Sequence, residues 1–491
     1  MRTIRTTAEG TTEPEADVLA TPAAGPAALR GSVLRTGTYM FGIALSLASA
    51  PLLVRHLGIA EFGRYITVAS LMNLVAGVTE GGVNAIALRE YATLGAERRA
   101  LVMRSLLGVR LALSTGGVCV GMAFALAAGY DSPLVVGAVG AGVGVVLQAF
   151  QTLLTVPLQA ELRFGWTALL DLQRQVVMVS LIVIGVLAGA GVVPFLWVSV
   201  PAGVIALATT LPLVSGRVPL RPALHRNVWW PLVRDTLPYT AAVALNVVYF
   251  RLTILIMSLK ATALETGYFG TSFRIVEVLL GLPALVVGAA YPILARAARD
   301  DEERYRYAMK RILDLAVIFG AWLAMNLVVG AELAIDILAG DAGQPAVPVL
   351  RIQGLALLAT ALGVATGYGL LTLRRHAPML VSNGISIVVV VALTLLLVPG
   401  SGAQGAAIAA LVAETVLAAI QLAYFLRGRM TLAGGLYGAP ITLAAAGAGV
   451  LAWWLMGEPE VGGLVAANAV FALGLIVTGR FPPEVRDALG R

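Results

Sequence analysis

Charge is the scarcest property of this sequence. Charged residues make up 12% of its 491 residues, whereas hydrophobic residues make up 59%. A soluble domain carries about 25% charged residues, and half that fraction cannot maintain a surface that faces water. Together with a mean hydropathy of +0.88, this shortage excludes an ordinary soluble domain and predicts an all-α protein that crosses a membrane many times.

Cysteine and lysine are also rare. The single cysteine, Cys119, lies in an apolar run, which excludes a disulfide framework and a cysteine-ligated metal cluster. The histidines are far apart, whereas histidines that bind a metal come in spaced groups. Neither of the two lysines, Lys260 and Lys310, follows a glycine, which excludes a Walker A phosphate loop. We therefore expect no metal, no cofactor and no ATP site in this chain.

Long apolar runs, by contrast, are abundant. A helix needs about 20 mostly apolar residues to span a bilayer, and this rule predicts about fourteen membrane-spanning helices. The predicted spans lie near residues 33–54, 62–86, 105–128, 133–157, 167–189, 192–214, 236–258, 267–294, 311–331, 347–372, 377–398, 403–426, 434–456 and 461–479. The predicted units are a disordered cytoplasmic tail (1–30), an N-terminal lobe of six spans (31–215), a cytoplasmic interfacial linker (216–235), a C-terminal lobe of six spans (236–427), an appended helix pair (428–480) and a second cytoplasmic tail (481–491).

The basic residues predict the orientation of these spans. The net charge is +7, but the charges come as short clusters between apolar runs, which is typical of membrane topology and not of a nucleic-acid-binding face. With the N-terminus in the cytoplasm, about 26 basic residues fall on the inner side and about four on the outer side, in agreement with the positive-inside rule. Both termini are therefore predicted to be cytoplasmic, and no nucleic-acid partner is expected.

The predicted outer loops are short. This disfavours a membrane enzyme of polysaccharide assembly, because such enzymes tend to carry their chemistry on sizeable outer loops. The sequence also contains no arrangement of Ser, His and Asp, or of paired carboxylates, with the spacing that catalysis needs. We therefore predict a transporter, with no catalytic residues.

The sequence contains an internal repeat. Residues 57–65 and 259–269 both place a Glu-x-Gly sequence after a short turn and before an aromatic residue. A second pair of similar segments, 158–163 and 370–375, lies about 100 residues further on in each half, at the ends of spans four and ten. Six spans separate the copies, and this even number makes the repeats parallel. Parallel repeats are related by an axis along the membrane normal, and we expect a substrate site between them.

These motifs resemble those of the oligosaccharide and polysaccharide flippases (Wzx-type) of the multidrug/oligosaccharidyl-lipid/polysaccharide exporter superfamily. The similarity runs from about residue 30 to 427. The similar residues are Leu57-Gly58, Glu61-Phe62-Gly63, Tyr65, Gly82 and Arg89-Glu90, then Gly267-Tyr268-Phe269, Phe273-Arg274, Tyr291-Pro292 and Arg296, and finally Val398-Pro399, Gly402-Ala403-Gln404-Gly405-Ala406-Ala407 and Glu414. One position departs from the family pattern, since Thr253 follows Tyr249-Phe250-Arg251-Leu252 where family members often have an acidic residue.

The resemblance implies a MATE-like fold, with two six-helix lobes around a central cavity and an appended helix pair. It implies a flippase in the bacterial cytoplasmic (inner) membrane. Its substrate would be an oligosaccharide linked to polyprenyl diphosphate, carried from the inner to the outer leaflet by alternating access. The expected partners are this lipid-linked oligosaccharide, membrane lipid and other membrane proteins of polysaccharide assembly. The alternative within the same fold is a cation-coupled multidrug exporter.

Arginines inside the predicted spans are candidates for binding the diphosphate. An arginine at a helix centre costs roughly 2.5–3.5 kcal/mol on insertion scales, and its guanidinium group binds phosphate through paired hydrogen bonds. Arg251 and Arg274 are predicted at similar depth on adjacent antiparallel helices, and Glu277 shares a helix face with Arg274. The alternative for these three residues is a structural ion pair. Arg110 is a further candidate, with snorkelling to the membrane surface as its alternative.

Two carboxylates are candidates for coupling transport to an ion gradient. Glu414 lies near the middle of span twelve, where a hydrogen-bonded structural carboxyl group is the alternative. Glu80 precedes two glycines and is predicted to mark a broken helix. Asp171 and Arg174 lie three residues apart near the inner interface, where we expect a local ion pair.

Overall fold

The computed structural model describes residues 24–80, 82–217, 221–427, 436–457 and 460–481. Within these residues the regular structure is entirely helical, as predicted. The α-helices are α1 (Ala24–Leu57), α2 (Ile59–Glu80), α3 (Val83–Thr93), α4 (Ala96–Ala127), α5 (Ser132–Leu154), α6 (Val156–Ala160), α7 (Phe164–Leu187), α8 (Val192–Trp197), α9 (Ser199–Val214), α10 (Arg226–Lys260), α11 (Ala263–Asp300), α12 (Glu302–Val329), α13 (Ala331–Ala339), α14 (Val347–Thr372), α15 (His376–Leu426), α16 (Ala439–Met456) and α17 (Glu460–Val477). A 3₁₀ helix over Gly340–Ala346 joins α13 to α14.

Ten helical segments in the described part of the chain are long and apolar enough to cross a membrane. The protein is therefore a multi-pass membrane protein, as its composition predicts. One of the ten segments is α15, which bends at Gly402 and covers the predicted spans eleven and twelve. The count of fourteen spans stays a prediction.

Several helices begin earlier than hydropathy predicts. α1 starts at Ala24, so residues 24–30 of the predicted disordered tail are helical, while the earlier part of the tail lies outside the described residues. α10 starts at Arg226, so the second half of the predicted linker belongs to this helix. Hydropathy marks only the part of a helix that meets hydrocarbon, whereas alanine, arginine and other good helix formers extend the helix into water.

Polar side chains at the turns set where individual helices start. Asp131 accepts a hydrogen bond from the Leu134 N–H at 3.2 Å at the start of α5. Asp301 accepts one from the Arg304 N–H at 2.9 Å at the start of α12. Each bond satisfies one of the backbone N–H groups that the first turn of a helix leaves without a partner.

The predicted break near Glu80 is present. α2 ends at Glu80, α3 starts at Val83, and Gly82 between them has φ of 76°. This left-handed backbone is unfavourable for residues with a Cβ atom, so a glycine at this point allows the chain to interrupt the helix.

A second break divides α15 into two arms. Gly402 has φ of 51° and ψ of −130° inside the helix. A Cβ atom on Gly405 would lie 2.7 Å from the Leu397 carbonyl oxygen, so the second arm folds back beside the first. Glu265 of α11 stabilises the start of the second arm, because its Oε2 accepts a hydrogen bond from the Ala403 N–H at 2.7 Å.

Alanine at Gly402 is expected to destabilise the protein by about 1–3 kcal/mol, the usual cost of a non-glycine residue in a sparsely populated backbone region. The new Cβ atom would also lie 2.2 Å from the Glu265 carboxylate. Gly400→Ala is the matched control, because a Cβ atom at Gly400 meets no heavy atom within 4 Å. Thermal unfolding of the two purified variants tests this prediction, and equal midpoints would contradict it.

The N-terminal half (α1–α9) and the C-terminal half (α10–α15) meet through two glycines. Gly63 is the fifth residue of α2, and Gly267 is the fifth residue of α11. A Cβ atom on Gly63 would lie 2.0 Å from the Ala263 carbonyl oxygen, and one on Gly267 would lie 2.0 Å from the Ile59 carbonyl oxygen. We call this reciprocal contact the glycine crossing. A parallel repeat accounts for it, since equivalent residues of the two copies exchange the same contact.

Candidate functional site

A cavity of about 350 Å³ lies between the two halves. Helices α1, α2, α5, α7, α8 and α9 supply its wall on one side, and α10 and α11 supply the other. Phe62 and Tyr65, which flank Gly63 in α2, also line this cavity, so it extends to the level of the glycine crossing. We call this space the central cavity.

The structure brings together three of the predicted site residues on the wall of the central cavity. Glu277 accepts a hydrogen bond from Arg251, and its other oxygen lies 3.1 Å from Nη1 of Arg274. Nη2 of Arg274 donates to Ser46 Oγ of α1 at 2.6 Å, which links the two halves. The side chains of Arg251, Arg274 and Glu277 keep 16%, 31% and 25% of their surface exposed. They therefore form an ion-pair network that still faces the cavity.

The network leaves hydrogen-bonding capacity for a ligand. A guanidinium group carries five N–H donors and no acceptor. Among the described lining residues of the cavity, Glu277 is the one acidic side chain, and it pairs with both Arg251 and Arg274. The Cζ atom of Arg251 also lies over the Phe273 ring, 5.7 Å from its centre, which is a cation–π contact.

Arg174 also lines the central cavity. Asp171, with which we expected a local pair, interacts with it electrostatically. Among the described residues, no hydrogen bond or ion pair within 4 Å is found for Arg174. With Arg251, Arg274 and Glu277, it gives the described lining two more positive charges than negative charges. The general rule that an intramembrane arginine is a functional candidate would have identified it, because it lies ten residues inside α7.

Arg110 is placed apart from this group. It is 4% exposed and lies on the face of α4 that carries Met103, Leu106 and Leu107, which pack against α3. Its Nε and Nη1 atoms are buried without a hydrogen-bond partner. Arg110 is therefore buried in the N-terminal half instead of snorkelling to the membrane surface.

The two coupling candidates occupy different environments. Glu414 is 5% exposed and accepts a hydrogen bond from Thr360 Oγ1 at 3.0 Å. It lines a second cavity of about 620 Å³ inside the C-terminal half, and Arg251 and Glu277 form part of the same wall. Glu80, at the end of α2, is exposed and accepts a hydrogen bond from Asn84 Nδ2 at 3.1 Å. The structure thus places Glu414 beside the arginine network and Glu80 away from it.

Solved structures of membrane transporters share this fold. The solved structure of the lipid II flippase MurJ in an inward closed conformation has a TM-score of 0.77 and 11% identity, over 91% of this chain and 99% of that one. An inward-facing MATE family transporter of the MOP superfamily has a TM-score of 0.62 and 16% identity, over 82% and 98%. A MOP superfamily transporter from Pyrococcus furiosus has a TM-score of 0.54 and 18% identity, over 83% and 96%. At such low identities, the structural similarity shows a shared fold and no more.

The family follows from the sequence. The family described as "Polysaccharide biosynthesis protein" matches residues 52–348, which is more than half of the chain. The protein belongs to this family, which confirms the resemblance found in the motifs. A search of curated protein sequences gives no match.

Proposed function

We propose that this protein is a flippase that moves an oligosaccharide linked to polyprenyl diphosphate across the membrane. The observation that carries the proposal is the network of Arg251, Arg274 and Glu277 on the wall of the central cavity. The polysaccharide family and the fold shared with a lipid II flippase support it. Under this proposal the membrane is the bacterial cytoplasmic membrane, and both termini are cytoplasmic.

The charge of the cavity fits a diphosphate. A diphosphate that leaves water loses hydrogen bonds, and arginine replaces them with charge-assisted bonds of the right geometry. Glu277 neutralises part of the positive charge in the resting protein. Incoming phosphate oxygens then compete with the Glu277 carboxylate for Arg251 and Arg274, so that the arginines always have a partner and the cost of an unpaired buried charge is avoided.

An apolar groove offers a place for the polyprenyl chain. A space of about 680 Å³ lies between α11, α12 and α17, with Val287, Phe319 and Phe471 among its apolar lining residues. α11 also carries Arg274 and Glu277, so one helix separates the groove from the central cavity. Under our proposal the headgroup occupies the cavity while the polyprenyl chain stays in the groove, which gives the appended helix α17 a role in substrate binding.

Transbilayer movement in proteoliposomes tests the proposed function. Purified protein is reconstituted with a labelled polyprenyl-diphosphate oligosaccharide, and the labelled sugar that becomes accessible on the opposite side is measured over time. We expect movement well above that of protein-free liposomes. If the lipid does not move, and the same proteoliposomes instead expel cationic dyes under a proton or sodium gradient, the multidrug exporter is the correct function.

Glu414 is our proposed coupling residue. The resemblance places an acidic residue where this chain has Thr253, and both Thr253 and Glu414 line one small pocket in the C-terminal half. Glu414 therefore supplies a carboxyl group next to the position that lacks one. Glu80, the other candidate, is exposed at the helix break and is better placed to bend α2 and α3 than to bind an ion.

Glu414→Gln is expected to abolish the stimulation of transport by an ion gradient while leaving movement without a gradient within about 2-fold of wild type, since an uncharged replacement costs little where the hydrogen bond is kept. Glutamine still accepts the hydrogen bond from Thr360, so the fold is preserved. The measurement compares initial rates with and without a proton or sodium gradient. Glu80→Gln is the control and is expected to retain the response. An unchanged response in Glu414→Gln would assign Glu414 a structural role.

A further inference from the structure

The two walls of the central cavity differ in chemistry. The C-terminal half contributes Arg251, Arg274 and Glu277, all of which are charged. The N-terminal half contributes neutral hydrogen-bonding side chains, and Arg174 is the one charged residue among its described lining residues. A ligand in this cavity would therefore meet ions on one side and mainly neutral polar groups on the other.

Three amide side chains lie on the cavity wall that the N-terminal half supplies. They are Asn73 of α2, Gln148 of α5 and Gln175 of α7. In the described part of the chain, no hydrogen bond from or to any of these side chains is found. By contrast, Gln421 in the C-terminal half bonds to Thr366 and Ser382, as is usual for an amide inside a membrane protein.

An amide side chain that is fully buried without a hydrogen-bond partner destabilises a protein, whereas one that faces a cavity can bond to what the cavity contains. Burying an unpaired amide group costs about 1–3 kcal/mol by protein mutational data. Asn73 is exposed and the two glutamines are half-buried, and all three line the cavity. Their hydrogen-bonding groups are therefore available to a ligand in the cavity.

The amides and the arginines lie at a similar depth. Lys260, which ends α10, is nine residues from Arg251, and Ser132, which starts α5, is sixteen residues from Gln148. Counted from the same end of the molecule, Arg274 lies 11 residues from Ala263, Gln175 lies 12 from Leu187 and Asn73 lies 14 from Ile59. At 1.5 Å per residue, all five positions lie about 14 to 24 Å along their helices. One headgroup in the cavity can therefore reach both walls.

Chemical complementarity assigns a different part of the substrate to each wall. A diphosphate is an acceptor only, so it matches the donor-only guanidinium groups and is repelled by an amide carbonyl oxygen. A sugar hydroxyl group both donates and accepts, and an amide does the same with its NH₂ and carbonyl groups. We propose that Asn73, Gln148 and Gln175 form a glycan subsite, which binds the sugar while Arg251 and Arg274 bind the diphosphate. This inference rests on the proposed function.

The test compares lipids with and without a sugar. The probes are undecaprenyl diphosphate and the same lipid carrying one N-acetylglucosamine or one galactose, titrated against purified full-length protein by native mass spectrometry. The variants are Gln148→Leu and Gln175→Leu, alone and combined, because leucine keeps a similar volume without hydrogen-bonding groups. Gln173→Leu is the matched control, since Gln173 lies on α7 but bonds to Thr209 instead of lining the cavity.

We expect wild type to bind at least one sugar-bearing lipid about 10-fold more tightly than undecaprenyl diphosphate, as two or three added hydrogen bonds would give. The double variant is expected to lose this preference, with unchanged affinity for undecaprenyl diphosphate. Arg251→Gln is expected to weaken binding of all probes and keep the preference. The control Gln173→Leu should match wild type in every respect.

The possible failures are distinguishable. If wild type binds none of the three lipids, the proposed function is wrong, and the glycan subsite falls with it. If wild type binds all three equally, or if the double variant keeps the sugar preference, the glycan subsite is wrong while the diphosphate site stands. If the double variant weakens binding of undecaprenyl diphosphate as much as that of the sugar lipids, the glutamines support the cavity structurally and do not contact sugar.

Discussion

Glutamine in place of Arg251 or Arg274 is expected to slow movement of a polyprenyl-diphosphate oligosaccharide by about 10- to 150-fold, because a hydrogen bond from a charged group contributes about 1.5–3 kcal/mol. Initial rates in proteoliposomes provide the measurement. Arg299→Gln is the matched control for Arg274→Gln. Arg299 lies on the same helix, but its side chain is 79% exposed and pairs with the neighbouring Asp300, so its removal should leave the rate unchanged.

The same residues could act only as a structural ion pair, and Glu277→Gln separates the two roles. This variant keeps both arginines and weakens the bridge between them. If the arginines bind the diphosphate, Glu277→Gln should bind undecaprenyl diphosphate at least as tightly as wild type does, because the competing carboxylate is gone. A parallel fall in unfolding temperature and transport in all three variants would show instead that the network holds α10 and α11 together, and the diphosphate site would be wrong.

The second large effect is expected at the glycine crossing. Alanine at Gly63 or Gly267 places a Cβ atom 2.0 Å from a backbone carbonyl oxygen of the other half, and the backbone can relieve this overlap only by moving α2 away from α11. Overpacking of this kind typically costs about 1–3 kcal/mol, which lowers the population of the observed closed contact by about 5- to 150-fold. We expect a matching loss of transport, because alternating access, as implied by the proposed function, requires this end of the cavity to close.

Spin labels at Ala60 and Leu264 measure the opening directly. Both residues are exposed and are the second residues of α2 and α11, and the single native cysteine is first replaced by Cys119→Ser. Gly63→Ala and Gly267→Ala should shift the label distance distribution to longer values. Gly116→Ala is the control, because its Cβ atom meets no heavy atom within 4 Å. Wild-type distances and rates in both crossing variants would show that the contact does not close the cavity.

Local patterns account for the predictions that the structure supports. The apolar runs predicted helices because a helix satisfies its own backbone hydrogen bonds in hydrocarbon. Consecutive glycines after Glu80 predicted the break between α2 and α3, since glycine tolerates a left-handed backbone. The meeting of Arg251, Arg274 and Glu277 followed from their distances to one short turn between two antiparallel helices. Each of these inferences uses residues that are close together in the chain.

Contacts between distant segments could not be predicted in this way. The partner of Glu414 is Thr360, which is 54 residues away on another helix. The early starts of α1 and α10 were missed because hydropathy marks only the apolar part of a helix, and both helices extend beyond it. The electrostatic interaction of Arg174 with Asp171 is local and was predictable from their spacing. The position of Arg174 on the wall of the central cavity was not, because it depends on the packing of α7 against α1.

By itself, the sequence determined that this protein is a helical, multi-pass membrane protein with a family signature of polysaccharide biosynthesis. Composition and the lengths of the apolar runs are enough for the helical, membrane-spanning class, because the bilayer imposes one solution on any long apolar segment. The family signature comes from the motifs. The tertiary structure alone decided which polar side chains share a cavity. The choice depends on how each helix is rotated against its neighbours, and packing across the whole fold sets that rotation. Hence three amide-bearing helices and an arginine-bearing pair, separated by as many as about two hundred residues, come to face one another.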